Sequence, residues 1–270
     1  MPIRFGSEPG SLGGADKVYV GSDLVWPVST LWTPEQLGAD LLVWFDASDA
    51  ATITLDGSSR VTAFANKGSL GGTATPLTAN RPLYQAAGVN GLPLISNDNS
   101  PGDGLSVDFG SNLPTGDADS AMVGVGIQTA NNAFARSLLL WGADVTDVSF
   151  RNIVGHSGLQ YGHFSTANLI GGQAWLNAVQ VSSYEHEAGW NYGTVSGTDL
   201  SPVSEGVLTT TADPFQLLLE DNLGLQEAMV LPRLLTADER LKLHGYLHHK
   251  WGVTANLPGA HPYKSAAPTV

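Results

Sequence analysis

The amino-acid sequence predicts an all-β protein built as one β-sandwich, with a short N-terminal hairpin and a single C-terminal helix. Three observations lead to this fold class. Gly and Pro number 32 and 15, and charged residues make up only 14% of the 270 residues, a composition typical of short strands joined by tight turns. Short apolar runs recur from residue 90 to 225, each bounded by Gly, Asn, Asp or Pro. One helical pattern lies near the end, so strands and helices do not alternate as in βαβ units.

The length favours one sandwich with a small appendage over two domains of equal size. We predict an N-terminal arm and docking hairpin over residues 1–30. The sandwich, with its C-terminal helix, is predicted over residues 31–270. Residues 1–16 are rich in Gly and Ser and predict an arm that is flexible or ordered by a partner.

The docking hairpin is predicted from two β-prone runs, 17–20 and 23–28, on either side of Gly21-Ser22. A Gly-X pair suits a tight type II′ turn. A two-stranded hairpin is marginal alone in water, so its apolar side chains need a surface to pack on. We predict docking through Tyr19, Leu24 and Trp26, either onto the sandwich or onto another chain.

The start of the sandwich carries three local signals. Thr33-Pro-Glu-Gln36 resembles a capping box with Pro at the first helical position, which predicts one helical turn. The apolar run Leu41–Phe45 predicts a strand buried on both faces. Residues 52–55 and 60–64 predict two strands joined by the turn Asp56-Gly-Ser-Ser59.

The C-terminal helix begins with a capping box of Thr236 and Glu239. Gly252 suits its C-terminal cap. Its apolar residues fall on one stripe at spacings of three and four, formed by Leu243, Tyr246, Leu247 and Trp251. We therefore expect the helix to lie against the sandwich and to seal one edge of it.

Composition excludes several classes of function. The net charge is −13, with 12 Lys and Arg against 25 Asp and Glu, which argues against nucleic acid as a partner. The absence of cysteine excludes disulfides and thiolate metal sites. The start Met1–Gly6 lacks the apolar core of a signal peptide, and no stretch reaches membrane-spanning length. We expect synthesis in a cytoplasm without a signal peptide, and no membrane insertion.

Two groups of segments resemble the laminin-G-like, concanavalin A-like jelly-roll domains that are common in phage and bacterial surface proteins. The opening of those domains is similar to Leu42–Asp49, Leu55–Val61 and Asn66–Gly68. Their last strand and helix are similar to Glu227–Leu231, Leu235–Arg240, Gly245–Gly252 and His261–Tyr263. The hairpin Lys17–Pro27 is similar to N-terminal segments of phage tail-associated proteins.

The chain departs from that family pattern at two places. Ser96–Gly104 stands where an acidic Phe-Asp-Gly-x-Asp-Asp strand often follows the first hairpins, and Leu231-Pro-Arg233 stands where an aromatic-acidic pair usually follows the last strand. The resemblance implies a concanavalin A-like jelly-roll β-sandwich. It also implies a non-catalytic virion component, either a tail fibre or a head decoration protein. Such a protein contacts other virion proteins through its arm and is oligomeric in the particle. A purely structural decoration or cap protein without a ligand is the alternative.

A carbohydrate site is predicted from aromatic residues in the central region, where loops of a sandwich gather. The candidates are Tyr161, His163, Trp175, Trp190 and Tyr192. Aromatic faces suit sugar rings, while Asn and Gln bind hydroxyl groups. The competing explanation for each of these residues is core packing. A host or environmental glycan is the expected ligand.

The enzymatic alternative is a glycoside hydrolase that uses Glu185 and Glu187. On a strand these residues share one face, about 7 Å apart between Cα atoms, near the roughly 5 Å carboxyl separation of a retaining pair. Concanavalin A-like glucanases carry Glu-x-Asp-x-Glu, and this chain has Gly189 at the last acidic position. We therefore expect a solvated acidic strand rather than catalysis.

Metal binding is expected to be absent, with one calcium candidate. Asp98 and Asp103 lie in a loop-forming segment with oxygen ligands, but the same residue types build ordinary turns. His244 and His248 have the spacing of a zinc face, and near a helix C-terminus imidazoles also interact with the helix dipole. Asp46 and Asp49 are expected to accept hydrogen bonds from nearby backbone.

Overall fold

The structure is a computed structural model that describes residues 30–97, 104–114, 120–128, 136–142, 150–155, 172–176, 178–181, 189–197, 214–219 and 223–270, together with three N-terminal strands. Those three strands form a sheet in the order β1-β2-β3, with β1 (Ile3–Gly6), β2 (Lys17–Val20) and β3 (Asp23–Trp26).

Two further antiparallel sheets form the sandwich. Sheet I contains β5 (Ile53–Leu55), β6 (Val61–Ala65), β7 (Thr73–Pro76), β10 (Leu105–Val107), β12 (Arg136–Gly142), β13 (Phe150–Gly155) and β17 (Phe215–Leu219). Sheet II contains β4 (Val43–Asp46), β8 (Leu83–Gln85), β9 (Leu94–Asn97), β11 (Ser120–Gln128), β14 (Gly172–Leu176), β15 (Val179–Val181), β16 (Gly189–Gly197) and β18 (Leu223–Leu231). The α-helix is α1 (Ala237–Lys250), and short 3-10 helices span Pro34–Asp40, Ala50–Thr52, Val89–Gly91, Gly110–Asn112 and Thr254–Asn256.

Both sandwich sheets combine hairpins of consecutive strands with pairs of strands from distant parts of the chain. Sheet I runs β13-β12-β17-β10-β7-β6-β5, and sheet II runs β15-β14-β16-β11-β18-β9-β8. In sheet II, β4 also pairs with β18. These connections confirm the predicted jelly-roll type of β-sandwich with one C-terminal helix, because the central neighbours of each sheet, such as β12 with β17 and β11 with β18, are far apart in sequence.

The first hydrophobic core lies between the two sheets. Phe45 from sheet II packs against Phe64 and Phe215 from sheet I, with ring centroids 5.0 and 6.1 Å apart. All three side chains are fully buried, and aliphatic residues of both sheets complete the cluster. The apolar run from Leu41 to Phe45 explains this arrangement. Successive residues of the strand face opposite sides of the sheet, and both sides are covered.

The second hydrophobic core lies between the outer face of sheet II and α1. Leu243, Leu247 and Trp251 of the helix pack with residues of β4, β11 and β18, including Val123 and Met229. The helix was expected to seal an edge, but it covers the central strands of a sheet face instead. The reason is that these strands are apolar on both sides, so their outer side needs a cover.

A β-bulge in β18 sets which residues face each core. The register pairs Val125 with Glu227 and Gly126 with Leu225, which leaves Gln226 as an extra residue in β18. Leu225 therefore belongs to the first core, while Glu227 faces α1. Regular alternation would place both residues on the same side.

The predicted ends of α1 are confirmed. The N–H of Glu239 donates to Thr236 Oγ1, and the Glu239 carboxylate accepts from the N–H of Thr236. Gly252 has a φ of +70°, and the N–H of Val253 donates to the carbonyl of His248, which is the Schellman arrangement that favours Gly.

The other local predictions are largely confirmed. Thr33 is the N-cap of the 3-10 helix Pro34–Asp40, and its N–H donates to Gln36 Oε1. The strand pair around Asp56 is β5 and β6, and the hairpin is β2 and β3. Residues 1–16 were expected to lack structure of their own, but Ile3–Gly6 forms β1 and pairs with β2. Its alternating Ile3 and Phe5 are the strand signal that the Gly-rich neighbourhood concealed.

Candidate functional site

The most polar buried place in the described chain is a pair of carboxylates under α1. Asp46 of β4 pairs in register with Glu227 of β18. Their side chains are 4% and 0% exposed. Two acids at this depth need partners, because an isolated buried charge is very costly.

Glu227 receives four hydrogen bonds from aromatic and basic side chains. Trp44 Nε1 and Tyr246 OH donate to Oε1 at 2.8 and 3.1 Å. Trp251 Nε1 and Lys250 Nζ approach Oε2 at 2.7 and 3.0 Å. Three of these four donors come from the last two turns of α1 and its cap, so the carboxylate fixes the helix end to the sheet.

Asp46 joins the same network from the neighbouring strand. Lys250 Nζ lies 2.8 Å from Asp46 Oδ2, and Lys67 Nζ lies 3.4 Å from the same oxygen. Lys67 also pairs with Asp49 at 2.9 Å. The other oxygen of Asp46 accepts from the N–H and hydroxyl of Ser48. The expected backbone bonds of Asp46 and Asp49 are present, and the two lysine contacts are additional.

The pKa values of the two carboxyl groups are shifted in opposite directions. Burial raises the pKa of Glu227 above its ordinary value, against the attraction of Lys250. Burial acts in the same sense on Asp46, but Lys250 and the Ser48 hydrogen bond outweigh it, so the pKa of Asp46 is lowered. Perturbed acids often mark active sites. Here Glu227 is 0% exposed and is contacted by Trp44, Tyr246, Lys250 and Trp251. We call these residues together with Asp46 the clamp, because they hold α1 on sheet II.

A second ion-pair group anchors the start of the helix. Arg233 binds Glu239 through two hydrogen bonds of 2.8 Å and Asp40 through one of 2.6 Å. The hydrogen bonds from Arg233 lower the pKa of Glu239 to about 2. Arg233 lies where the resembling family usually has an aromatic-acidic pair, so this departure supplies a link between α1 and the 3-10 helix before β4.

The side chains of His244 and His248 on α1 are buried. His248 Nδ1 lies 2.7 Å from the carbonyl of His244, and burial lowers the pKa of His244 to about 3 and of His248 to about 4. Burial therefore favours the neutral form of both imidazoles, and the contact of His248 with a helix carbonyl is that of an uncharged ring. Among the described residues no group of three or more His, Asp or Glu could hold a metal ion.

An open cleft of about 430 Å³ lies on sheet II at the end where β9 stops and β18 starts. Its polar wall is Gln85, whose Nε2 donates to Ser96 Oγ at 2.8 Å. Its apolar floor comes from Leu94, Ile127 and Gly224. A Cβ at Gly224 would lie 2.8 Å from Ile127 Cγ2 and 2.9 Å from Leu94 Cδ1, so the glycine lets these two side chains pack closely over the strand.

Three of the predicted carbohydrate-binding residues lie on strands of the same sheet. The register pairs Trp190 with Ile127, at the cleft floor, and Tyr192 with Val125. Trp175 pairs with Thr194 on the far side of β16. Sheet II thus brings the strand positions of Trp190 and Tyr192 beside β11, and Trp190 is the one next to a cleft residue.

The remaining site predictions lie outside the residues described in detail. Tyr161, His163, Glu185, Glu187, Asp98 and Asp103 fall in segments that the structure does not describe. Tyr19, Leu24 and Trp26 lie on β2 and β3, and their docking role stays a prediction.

Sequence reasoning missed the polar wall of the cleft and the clamp. Gln85 and Ser96 are 11 residues apart and sit in segments without a recognisable motif. Trp44 and Asp46 alternate on one strand, which signals a shared face. Glu227, however, comes to that face only because of the bulge at Gln226.

Comparisons with known proteins leave this chain without a family. No protein-family model matches it, and no curated protein matches it in sequence. Among solved structures, the botulinum neurotoxin serotype G binding domain is similar over 76% of this chain and 50% of its own, with 8% identity and a TM-score of 0.46. A Trypanosoma rangeli sialidase is similar over 78% of this chain and 35% of its own, with 10% identity and a TM-score of 0.44. The chain therefore spans half or less of these proteins. These similarities are too weak to indicate a function, and the fold assignment rests on the sheets themselves. No helix in the described ranges is long and apolar enough to cross a membrane.

Proposed function

We propose that this protein is a non-catalytic carbohydrate-binding β-sandwich displayed on a phage-like particle, with the cleft beside Gln85 as its binding site. The observation that carries the binding proposal is the cleft itself. It combines a hydrogen-bonded amide and hydroxyl with an aliphatic floor. Sugar rings present both hydroxyl groups and apolar C–H faces, and sites that bind small ligands combine apolar surface with a few polar groups.

The polar wall has the hydrogen-bonding capacity that a sugar requires. A glutamine amide carries two N–H donors and a carbonyl acceptor, and the bond to Ser96 takes one N–H of Gln85. This bond also orients the amide, which lowers the entropy that binding would otherwise cost. The register places the strand position of Trp190 opposite Ile127 of the floor, and aromatic residues are the type on which sugar rings stack.

The non-catalytic part of the proposal is supported by the state of the described acids. Glu227 accepts hydrogen bonds from Trp44 and Trp251, and both Asp46 and Glu227 pair with Lys250. Catalysis by Glu185 and Glu187 remains the alternative. The binding assay below separates the two, because a hydrolase would release sugar during incubation and a binding module would not.

The virion part of the proposal rests on the resemblance of the hairpin and of both ends of the sandwich to phage proteins. A three-stranded N-terminal sheet is a suitable element for attachment to a neighbouring subunit, through contacts of Tyr19, Leu24 and Trp26. A particle would present many copies, so individually weak sugar contacts would act together.

The test of carbohydrate binding uses an array of immobilised oligosaccharides that includes neutral and anionic glycans. The full chain is expected to bind a subset of the array, and the double variant Gln85→Ala/Ser96→Ala is expected to lose that binding. Gln216→Ala is the matched control, because Gln216 lies on β17 of the other sheet. Absence of binding by the full chain, or equal binding by the double variant, would overturn the proposal.

A further inference from the structure

We propose that the cleft selects neutral saccharides and rejects sugars that carry carboxylate or sulfate groups. This inference rests on the proposed carbohydrate function and adds the chemical class of the ligand. Two independent features support it, the uncharged lining of the cleft and the charge of the chain segments that adjoin it.

The described lining contains no charged residue. Its polar members are Gln85, Ser96 and Asn97, and the others are aliphatic residues and glycines. An anionic sugar that entered this cleft would lose water around its carboxylate without gaining a cation. Sites that recognise carboxylates or sulfates supply Arg or Lys, since charge-assisted hydrogen bonds offset that desolvation. Gln85 and Ser96 suit hydroxyl groups instead.

Four strands of sheet II end or begin beside the cleft. β9 ends at Asn97, β11 ends at Gln128, β16 begins at Gly189 and β18 begins at Leu223. The register joins these positions, because Leu223 pairs with both Asn97 and Gln128, and Gln128 pairs with Gly189.

The segments that continue from these strand ends carry six acidic residues and no Lys or Arg, and the basic residue that directly adjoins them in sequence is Arg136, at the start of β12. Residues 98–103, 129–135, 182–188 and 220–222 contain no Lys or Arg. They do contain acidic residues, which are Asp98, Asp103, Glu185, Glu187, Glu220 and Asp221. The six acidic residues outnumber Arg136, and the whole chain has a net charge of −13. We therefore expect the excess negative charge next to these strand ends to disfavour anions, because like charges near a binding site cost several kcal/mol when they are close.

The test compares sugars that differ in a single group. Hexoses and the corresponding uronic acids share their ring and differ in CH₂OH against COO⁻, so glucose with glucuronate, galactose with galacturonate and mannose with mannuronate are used as multivalent conjugates. At low salt the full chain is expected to bind one of the hexose conjugates at least about tenfold more tightly than its uronate partner. Raising the salt to about 1 M should narrow that ratio, because the Debye length falls to about 3 Å.

A charge variant checks the electrostatic cause. Glu220→Gln/Asp221→Asn should narrow the hexose-to-uronate ratio at low salt without weakening hexose binding. Glu35→Gln/Asp238→Asn is the control with the same charge change, placed near the opposite end of β18, and should leave the ratio unchanged. Equal or tighter binding of a uronate would overturn the neutral-sugar inference while leaving carbohydrate binding intact. Failure of every sugar conjugate and every array glycan to bind would instead remove the proposed function.

Discussion

Replacing Lys250 by Met tests whether charge holds the C-terminal helix on the sheet. Lys250 Nζ lies 2.8 Å from Asp46, 3.0 Å from Glu227 and 2.9 Å from the Tyr246 hydroxyl. Met keeps most of the apolar stem but removes the ammonium group. Asp46 retains Lys67, whereas Glu227 is 0% exposed and is left without a cation.

The expected loss follows from what remains around Glu227. Removing one partner of a buried ion pair costs about 3–5 kcal/mol. Two indole N–H groups and a tyrosine hydroxyl still donate to Glu227, so we expect the lower end, about 3 kcal/mol. The measurement is urea unfolding at pH 7, followed by tryptophan fluorescence, with the free energy taken from the midpoint and slope.

A variant on the same helix provides the matched control. Lys242 pairs with Asp238 at 3.0 Å, where the Asp238 side chain is 70% exposed, and such a surface pair contributes about 0.3–0.5 kcal/mol. Lys242→Met should therefore lose far less stability than Lys250→Met. Equal losses in the two variants would refute the idea that the buried charges fix the helix.

Urea unfolding of Lys250→Met at lower pH gives a second test of the same reasoning. Burial already raises the pKa of Glu227, and loss of Lys250 removes the attraction that opposes this rise. In the variant, the folded chain then binds a proton at a higher pH than the unfolded chain. The free energy of unfolding that Lys250→Met loses relative to the natural chain should therefore become smaller as the pH falls toward 4.5, the ordinary pKa of Glu.

Two other predictions concern acid stability and the arm. Burial lowers the pKa of His244 from 6.5 to about 3, so below pH 6.5 the unfolded chain binds a proton that the folded chain does not. Stability should fall by about 2 kcal/mol for this group near pH 5, as seen in urea midpoints, and His244→Gln should show a shallower fall; identical pH profiles would contradict this. Removal of residues 1–28 should leave the sandwich folded, since its described cores begin at Trp32, and should abolish incorporation into particles, as measured by immunodetection. An unfolded product, or normal incorporation, would count against the docking role.

The sequence was sufficient to predict the elements whose signals are local. The capping box at Thr236, the Gly252 cap and the strand pair around Asp56 depend on residues within a few positions of one another, and each is confirmed. The all-β sandwich follows from the many short strands. The β1 strand was missed because Gly and Ser around it outweighed two alternating apolar residues.

The clamp was beyond sequence reasoning because its parts meet only through the fold. Trp44 and Glu227 are 183 residues apart, and Trp251 is 24 residues beyond Glu227. The side of the sheet on which Glu227 lies depends on a bulge that has no signature in the sequence. The burial of His244 likewise follows from the helix covering a sheet face rather than an edge, which the stripe of apolar residues could not distinguish.

The bulge at Gln226 ties the residue count of β18 to the path of its backbone. If the strand lost the bulge but kept Gln226, regular alternation would place Leu225 and Glu227 on the same side of the sheet. Either Leu225 would then turn toward the helix, or Glu227, Met229 and Leu231 would exchange their covered side for the inner core. Each outcome would place a carboxylate among phenylalanine rings or would strip the helix of its apolar contacts. We therefore expect chains that share this arrangement either to keep the bulge at this position or to lack both the bulge and its extra residue, because each of these choices leaves the two faces of β18 unchanged.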